Sequence, residues 1–355
     1  MRDPTHPADR PAQLDRPAQP DGKAQPDRLA LPKAELHVHI EGTLEADMAF
    51  RLGARNGVRL PFAGVEDLRA RYSFSNLGSF LDLYYSCMAV LRTEEDFFDL
   101  ADAYLARASK DGVRHAEIFF DPQAHTSRSV PLEAVVNGLT SAVSAARSRY
   151  GMSAGLIACF LRDQGPDAAM DTLDQLLHHR DAIIGVGLDS AEVGYPPALF
   201  ADVFSRARAQ GLHCVAHAGE EGPPSYVWEA LDVLRVERID HGVRSLEDRN
   251  LVERLADEQV PLTVCPLSNV RLKVVGRIEE HPVAAMLEAG LAVTVNSDDP
   301  AYFGGYVDDN FAALAQGVGL DSHALRTLAR NSLQASFLDD ATRKTHLDHL
   351  DASED

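Results

Sequence analysis

From residue 29 onward the chain alternates short apolar runs with longer segments in which apolar residues recur at helical intervals. The runs fall at 34–39, 114–120, 154–161, 183–189, 212–217, 238–241, 261–265 and 291–296. Most are unbroken rather than alternating, which is the pattern of strands covered on both faces, as in a parallel sheet. Between them the spacing is helical, as in Leu44, Met48 and Leu52, with Thr43 placed to cap and Gly53 and Gly57 near the end. Eight strand-then-helix units in about 320 residues predict an α/β fold, a parallel (β/α)8 TIM barrel, in preference to an open doubly wound sheet. No short period repeats along the chain, so a solenoid is not indicated.

The polar exceptions to this pattern gather at strand ends. In the first run, His37 and His39 are two residues apart, so an extended backbone points both to one face while Leu36, Val38 and Ile40 take the other. Gly42 follows, where backbone can pass close to whatever the histidines hold. Alone, the pair reads as two satisfied histidines on a polar strand face. Three later runs end in groups of the same kind: His217-Ala218-Gly219-Glu220, Asp240-His241-Gly242 and Ser297-Asp298-Asp299-Pro300. The last, alone, reads as a turn, since Asp before Pro is common there. A barrel brings strands one and eight together and strands five and six together, and builds its active site from strand C-terminal ends.

Three histidines and a carboxylate suit Zn2+, with room for a water, so His37, His39, His217 and Asp298 are assigned to one metal ion per chain. A water on such an ion has its pKa lowered towards about 7 and provides hydroxide at neutral pH. Glu220, three residues past His217, is placed to shuttle a proton to a ligand ring nitrogen, and His241 to orient the hydroxide and act as base. Asp299 is placed to accept a hydrogen bond from substrate or water. The longest connection, from Thr43 to about Val113, carries Tyr72, Phe74, Phe80, Tyr84 and Tyr85. Long insertions in compact domains tend to be functional, so its extra helices are expected to cover the barrel mouth above a flat ligand.

Composition limits the remaining possibilities. Residues 1–28 repeat Pro, Ala, Gln, Asp and Arg with almost no large apolar side chains, which predicts a disordered tail. The barrel is expected over 29–345 and a short acidic C-terminal tail over 346–355. A formal charge of -20 argues against nucleic acid or an anionic membrane as the main partner. Cys87, Cys159, Cys214 and Cys265 lie far apart with no C-x-x-C pair, as buried thiols do in a reducing compartment. No run approaches the ~18 apolar residues of a membrane span, and a cytoplasmic location is expected.

Taken together, the His37/His39 pair, the His217 to Glu220 block, Asp240-His241-Gly242, Cys265-Pro266-Leu267-Ser268-Asn269 and Ser297 to Pro300 resemble the adenosine/AMP deaminase superfamily. They occur in that family's order, and the likeness runs from Leu31 to about Leu338. The resemblance implies zinc-dependent hydrolytic deamination at C6 of a purine, with Glu220 protonating N1, His241 assisting the hydroxide and Asp299 contacting the ring. The chain lacks the H-x-E and P-C-x-x-C signature of the other zinc deaminases.

Within the family, Glu41 stands where animal-type enzymes carry a ribose-contacting Asp, and the stretch from Leu188 to Pro197 is similar to the branch acting on free adenine. A carboxylate such as Glu192, or alternatively Glu41, would accept the N9–H that only an unsubstituted purine has. A nucleoside would leave it unpaired, at a penalty of about 1–3 kcal/mol. His125, on Asp121-Pro122-Gln123-Ala124-His125 after the second run, is a further candidate for substrate contact, whereas His178-His179 and His346/His349 read as helix surface. No phosphate loop or dinucleotide fingerprint is present. A purine base deaminase, a deaminase of adenosine or of a modified 6-aminopurine, and a catalytically silent purine-binding protein stay open at this point, as does a homo-oligomer.

Overall fold

The computed structural model describes residues 31–353, and the expected tail over 1–28 lies outside them. Its strands are β1 (Lys33–His39), β2 (Val113–Phe120), β3 (Ser153–Leu161), β4 (Gly185–Asp189), β5 (His213–Ala218), β6 (Arg238–His241), β7 (Leu262–Val264) and β8 (Val293–Val295). They lie parallel in sequence order, with helices in the connections. All eight coincide with the apolar runs, their ends displaced by a residue or two. β8 meets β1 through one parallel bridge between Val38 and Asp298. There the Asp298 N–H donates to the His37 carbonyl at 3.1 Å and the His39 N–H donates to the Asp298 carbonyl at 3.0 Å. The carboxylate-bearing residue after β8 is therefore itself the rung that joins the last strand to the first.

The alternation within β1 sorts its side chains as the pattern requires. Leu36, Val38 and Ile40 join the large core between barrel and helices. His37 and His39 turn inward against Phe119, with ring centroids 5.0 and 5.2 Å away. Phe119 belongs to a small interior core with Ile157, Cys159 and Val215, against which Ile184 and Phe337 pack. Truncating such a residue to Ala would cost about 3–5 kcal/mol.

Deeper in the barrel, away from the histidines, the buried polar side chains are paired. Arg238 Nη1 donates to Glu117 Oε2 at 2.6 Å and Nη2 to the Leu36 carbonyl at 3.2 Å. Glu117 Oε1 accepts from the Phe337 N–H at 2.5 Å, and the Arg238 guanidinium lies 4.6 Å from the Phe337 ring centre. Lys33, fully buried at the start of β1, donates to Asp308 at 2.8 Å.

The first connection holds helices over Ala46–Asn56, Val65–Arg69, Leu77–Met88 and Glu94–Lys110. The last is started by a capping box in which Thr93 and Asp96 exchange bonds, and Asn76 with Ser79 does the same for Leu77–Met88. Thr43 does not cap the first helix as its position suggested. Its hydroxyl donates to the Ile40 carbonyl at 2.7 Å within a 3-10 turn, and the helix begins at Ala46. Gly57 ends that helix in the left-handed region, as expected of a glycine there.

The boundary placed at 346 falls inside the helix Asp340–Ala352, where Leu350 is fully buried. Burial of that side chain, which composition alone does not report, carries the folded unit on to the helix end. Among the described residues no helix is long and apolar enough to cross a membrane.

Candidate active site

The three histidines predicted to converge do so. His39 Nε2 lies 3.2 Å from His217 Nε2, and Asp298 Oδ1 lies 3.4 Å from His37 Nε2 and 3.5 Å from His39 Nε2. Their other ring nitrogens are engaged from behind. Thr263 donates its hydroxyl proton to Asp240 at 2.8 Å, so it accepts from His37 Nδ1 at 2.9 Å. His217 Nδ1 donates to the Leu188 carbonyl at 3.1 Å, and His39 Nδ1 faces Asp189 at 3.6 Å. With Nδ1 carrying the proton, each Nε2 presents a lone pair to the same point as the Asp298 carboxylate. His37 Nε2 is buried without a partner among the described residues. Converging lone pairs and a carboxylate repel one another unless a cation lies between them, so this donor set fits a divalent metal.

Burial keeps most of these groups in the state such a site needs. It pushes His39 down to about 4, His241 to about 3 and His217 well below the usual range, so these three imidazoles are neutral. For His37 burial acts in the same direction, but Asp298 and Asp240 outweigh it and raise the ring above its ordinary value. Burial alone would raise Asp298, but His37, His241 and His39 hold it ionised, well below the ordinary carboxylate range. His241 and Asp298 also adopt left-handed backbone, with φ of 64° and 63°. Such conformations cost of the order of 1–3 kcal/mol in non-glycine residues and gather at functional sites.

Glu220 and His241 meet beside this cluster. His241 Nε2 is 3.5 Å from Glu220 Oε2 and 3.8 Å from Asp298 Oδ2. Glu220 is raised well above the usual carboxyl range, by burial first and by Asp298 and Glu192 after it, which favours its protonated form. Asp299 is raised in the same direction by burial and Asp298. Gly42 is required opposite it, because a Cβ there would stand 2.6 Å from the Asp299 Cα.

His39, His217, Glu220, His241, Asp298 and Asp299 line one small cavity. The helix Leu77–Met88 supplies Leu77, Phe80, Leu81, Tyr84 and Tyr85 to its apolar side. Asp121 and Asp189, at the ends of β2 and β4, line it as well, and their carboxyls lie within 4.8 Å of each other and of a His39 ring nitrogen. Burial raises Asp189 to about 7 and Asp121 well above its usual range. Asp121 Oδ1 and Asp189 Oδ1 receive no hydrogen bond from the described residues. Sequence reasoning passed over both, although each ends a strand, the signal that found the other groups.

The two carboxylates expected to read N9–H face elsewhere. Glu192 is absent from the cavity lining. Its Oε1 accepts from the Gly219 N–H at 2.6 Å, and its Oε2 accepts from the N–H groups of Glu220, Glu221 and Gly222 at 3.1, 2.8 and 2.6 Å. Glu41 is fully buried behind Asp121, where its Oε1 accepts from the Asp121 N–H at 3.1 Å and from His125 Nε2 at 2.7 Å. His125 thus contacts Glu41 and Arg128 and does not line the cavity. The reason is steric and local: a backbone rich in unpaired N–H groups stands nearer to Glu192 than the cavity does.

Comparison with known proteins agrees with this geometry. A family model described as adenosine deaminase matches residues 32–353. The chain is 64% identical over 312 residues to an adenine deaminase of Streptomyces coelicolor, covering 88% of this chain and 92% of the relative. It is 60% identical over 314 residues to one of Rhodospirillum rubrum, covering 88% and 94%. The crystal structure of an adenine deaminase from Arthrobacter aurescens superposes with a TM-score of 0.90 at 56% identity, covering 91% of this chain and 98% of that one. A crystal structure of an amidohydrolase from Burkholderia ambifaria with bound Zn superposes at 0.84 with 28% identity, covering 95% and 96%.

Proposed function

The chain belongs to the adenosine deaminase family and is a hydrolytic deaminase, and from that premise we propose that it converts adenine and water to hypoxanthine and ammonia, a purine-salvage reaction, with one Zn2+ per chain. The relatives' activity on adenine supports the substrate. The observation that carries the preference for a free base is the Asp121/Asp189 pair with its unpartnered oxygens. With Glu220 on N1 and Asp299 on the ring's N7 side, the N3/N9 edge of the purine is left for those two carboxyls. One ionised and one protonated carboxyl offer an acceptor to N9–H and a donor to N3. A nucleoside has carbon on N9, so it would strand the acceptor and crowd the wall.

His37, His39, His217 and Asp298 are the residues that would hold the metal, and Zn2+ so bound would supply a hydroxide nucleophile at neutral pH. His241, neutral and buried, would take the proton that water loses in becoming the nucleophile that adds to C6. Glu220 delivers its proton to N1, so the ring nitrogen accepts an electron pair without developing a full negative charge. Asp299, kept protonated by burial, offers a hydrogen bond to the imidazole side of the ring. His241 then passes its proton to the 6-amino group and the C6 hydroxyl proton returns to the Glu220 carboxylate, so breaking the C6–N bond expels ammonia, forms the carbonyl of hypoxanthine and restores both side chains.

The test offers adenine and adenosine side by side to zinc-loaded protein, with a chelated control and the metal content measured. Adenine turnover with little adenosine turnover is expected, and chelation should abolish it. Preference for adenosine would sink the free-base reading, preference for an N6-substituted purine base would sink adenine as the substrate, and protein that purifies without binding zinc would sink the cofactor.

A further inference from the structure

Glu220 delivers the proton, yet nothing holds its carboxyl tightly. Oε2 has only His241 at 3.5 Å, and Oε1 is buried with no partner among the described residues. Its aim is therefore set by its backbone, and that backbone is held by side chains from three other strand ends. Arg162, fully buried after β3, donates through Nη1 to the His217 carbonyl at 2.8 Å. Arg244, after β6, donates its N–H to the Gly219 carbonyl at 2.8 Å and its guanidinium to the Glu221 carbonyl. Glu192, after β4, takes the four consecutive N–H groups from Gly219 to Gly222. The fit at Gly222 is close, since a Cβ there would come within 2.6 Å of Glu192 Oε1.

The geometry points to Glu192 as a positioning residue for Glu220: a side chain whose two oxygens gather the backbone N–H groups around the acid and fix where its side chain enters the cavity. The inference rests on the deaminase reading, because only a reaction needing that proton makes the aim of Glu220 matter. Four N–H groups aimed at one carboxylate need an acceptor with lone pairs on both atoms. The isosteric amide would turn an NH2 towards part of the set and release the loop without emptying the space. An ordinary capping side chain satisfies one or two such groups, so the concentration of four on the acid's own segment is what separates Glu192 from a cap.

Two measurements test this on full-length, zinc-loaded protein. Hydrogen-exchange mass spectrometry of E192Q should show faster exchange confined to residues 218–223, a readout that needs no catalysis. On adenine, E192Q should lower kcat about 10- to 100-fold, as loss of an orienting partner does, with KM within about threefold and zinc content unchanged. In an E220Q background the same change should cost less than about threefold, because residues acting through one another are not additive. G222A, which pushes a methyl group into the same carboxylate, should reproduce the kinetic pattern and guards against misfolding of the first variant.

Equal losses in both backgrounds would overturn the proposal in favour of a purely structural role. A raised KM with unchanged kcat would overturn it in favour of substrate contact, and unchanged exchange at 218–223 would overturn the clamp itself. Wild-type protein inactive on adenine but with E192Q still loosening 218–223 would indict the reaction assigned and leave the clamp standing.

Discussion

The barrel buries charged and polar groups at both of its levels, but treats them in opposite ways. Deep in the barrel, Arg238 and Glu117 exchange a 2.6 Å bond and nearly every remaining valence finds a carbonyl or an N–H. At the rim, His37 Nε2, Glu220 Oε1, Asp121 Oδ1, Asp189 Oδ1 and Asp299 Oδ1 are equally buried and have no partner among the described residues. Burying a polar group without a partner costs about 1–3 kcal/mol, so the rim carries that penalty at several atoms, whereas the Arg238–Glu117 pair carries it at Arg238 Nε alone. The contrast separates the groups that hold the barrel together from those free to bind: the deep pair is largely satisfied, and the unsatisfied rim atoms are the ones the proposed reaction would use.

That contrast can be broken by substitutions at each level. The largest effect is expected at the rim, where Glu220→Gln should lower kcat for adenine by about 10²- to 10⁴-fold, the range for a lost general acid. Its melting temperature should not fall, because no bond is lost; a matching loss of stability would erase the distinction between the levels. In the deeper layer, Arg238→Met leaves the buried Glu117 charge without its guanidinium partner and should cost about 3–5 kcal/mol in denaturant unfolding, with little change in kcat per folded molecule. Adding Glu117→Gln to that variant should recover much of the loss.

Next comes pH. Burial alone would raise Glu117, but Arg238 and His115 pull it down to about 2 from an ordinary 4.5. Its folded value is depressed, so its contribution, about 3 kcal/mol, is complete above pH 4.5 and is lost as pH falls from there through about 2. Acid unfolding of Glu117→Gln should therefore be flatter between those values than that of the wild type, and equal slopes would refute the pairing. The smallest effect is expected for Asp121→Asn, which should weaken kcat/KM on adenine by about 5- to 150-fold, corresponding to 1–3 kcal/mol for one unmade buried bond, without loss of stability. If adenosine turnover fell in the same ratio, Asp121 would not be reading N9–H.

The two levels were not equally legible in the sequence. The strands were legible because a strand covered on both faces must be apolar throughout, and β1 to β8 all declare themselves so. His37, His39, His217, Glu220, His241 and Asp298 were legible because each interrupts such a run at the end a barrel turns to its ligand. Asp121 and Asp189 end strands in the same way, but each is a single carboxylate in a stretch where another residue, His125 or Glu192, drew the assignment. Glu192 was misplaced for a different reason. Position along the chain reports which strand end a side chain leaves, whereas its direction depends on the loop after β5, which presents four N–H groups that no residue pattern announces. Arg238 and Glu117 pair across 121 positions, a distance over which spacing carries no information.

The bridge between Val38 and Asp298 has a consequence for the order of events during synthesis. A chain emerging from the ribosome displays His37 and His39 early, but the carboxylate that completes their set arrives some 260 residues later and is delivered by the contact that shuts the ring. A partly made chain can therefore hold two imidazoles and no competent centre. With the site proposed above, deaminating power would appear only when the last strand has docked on the first.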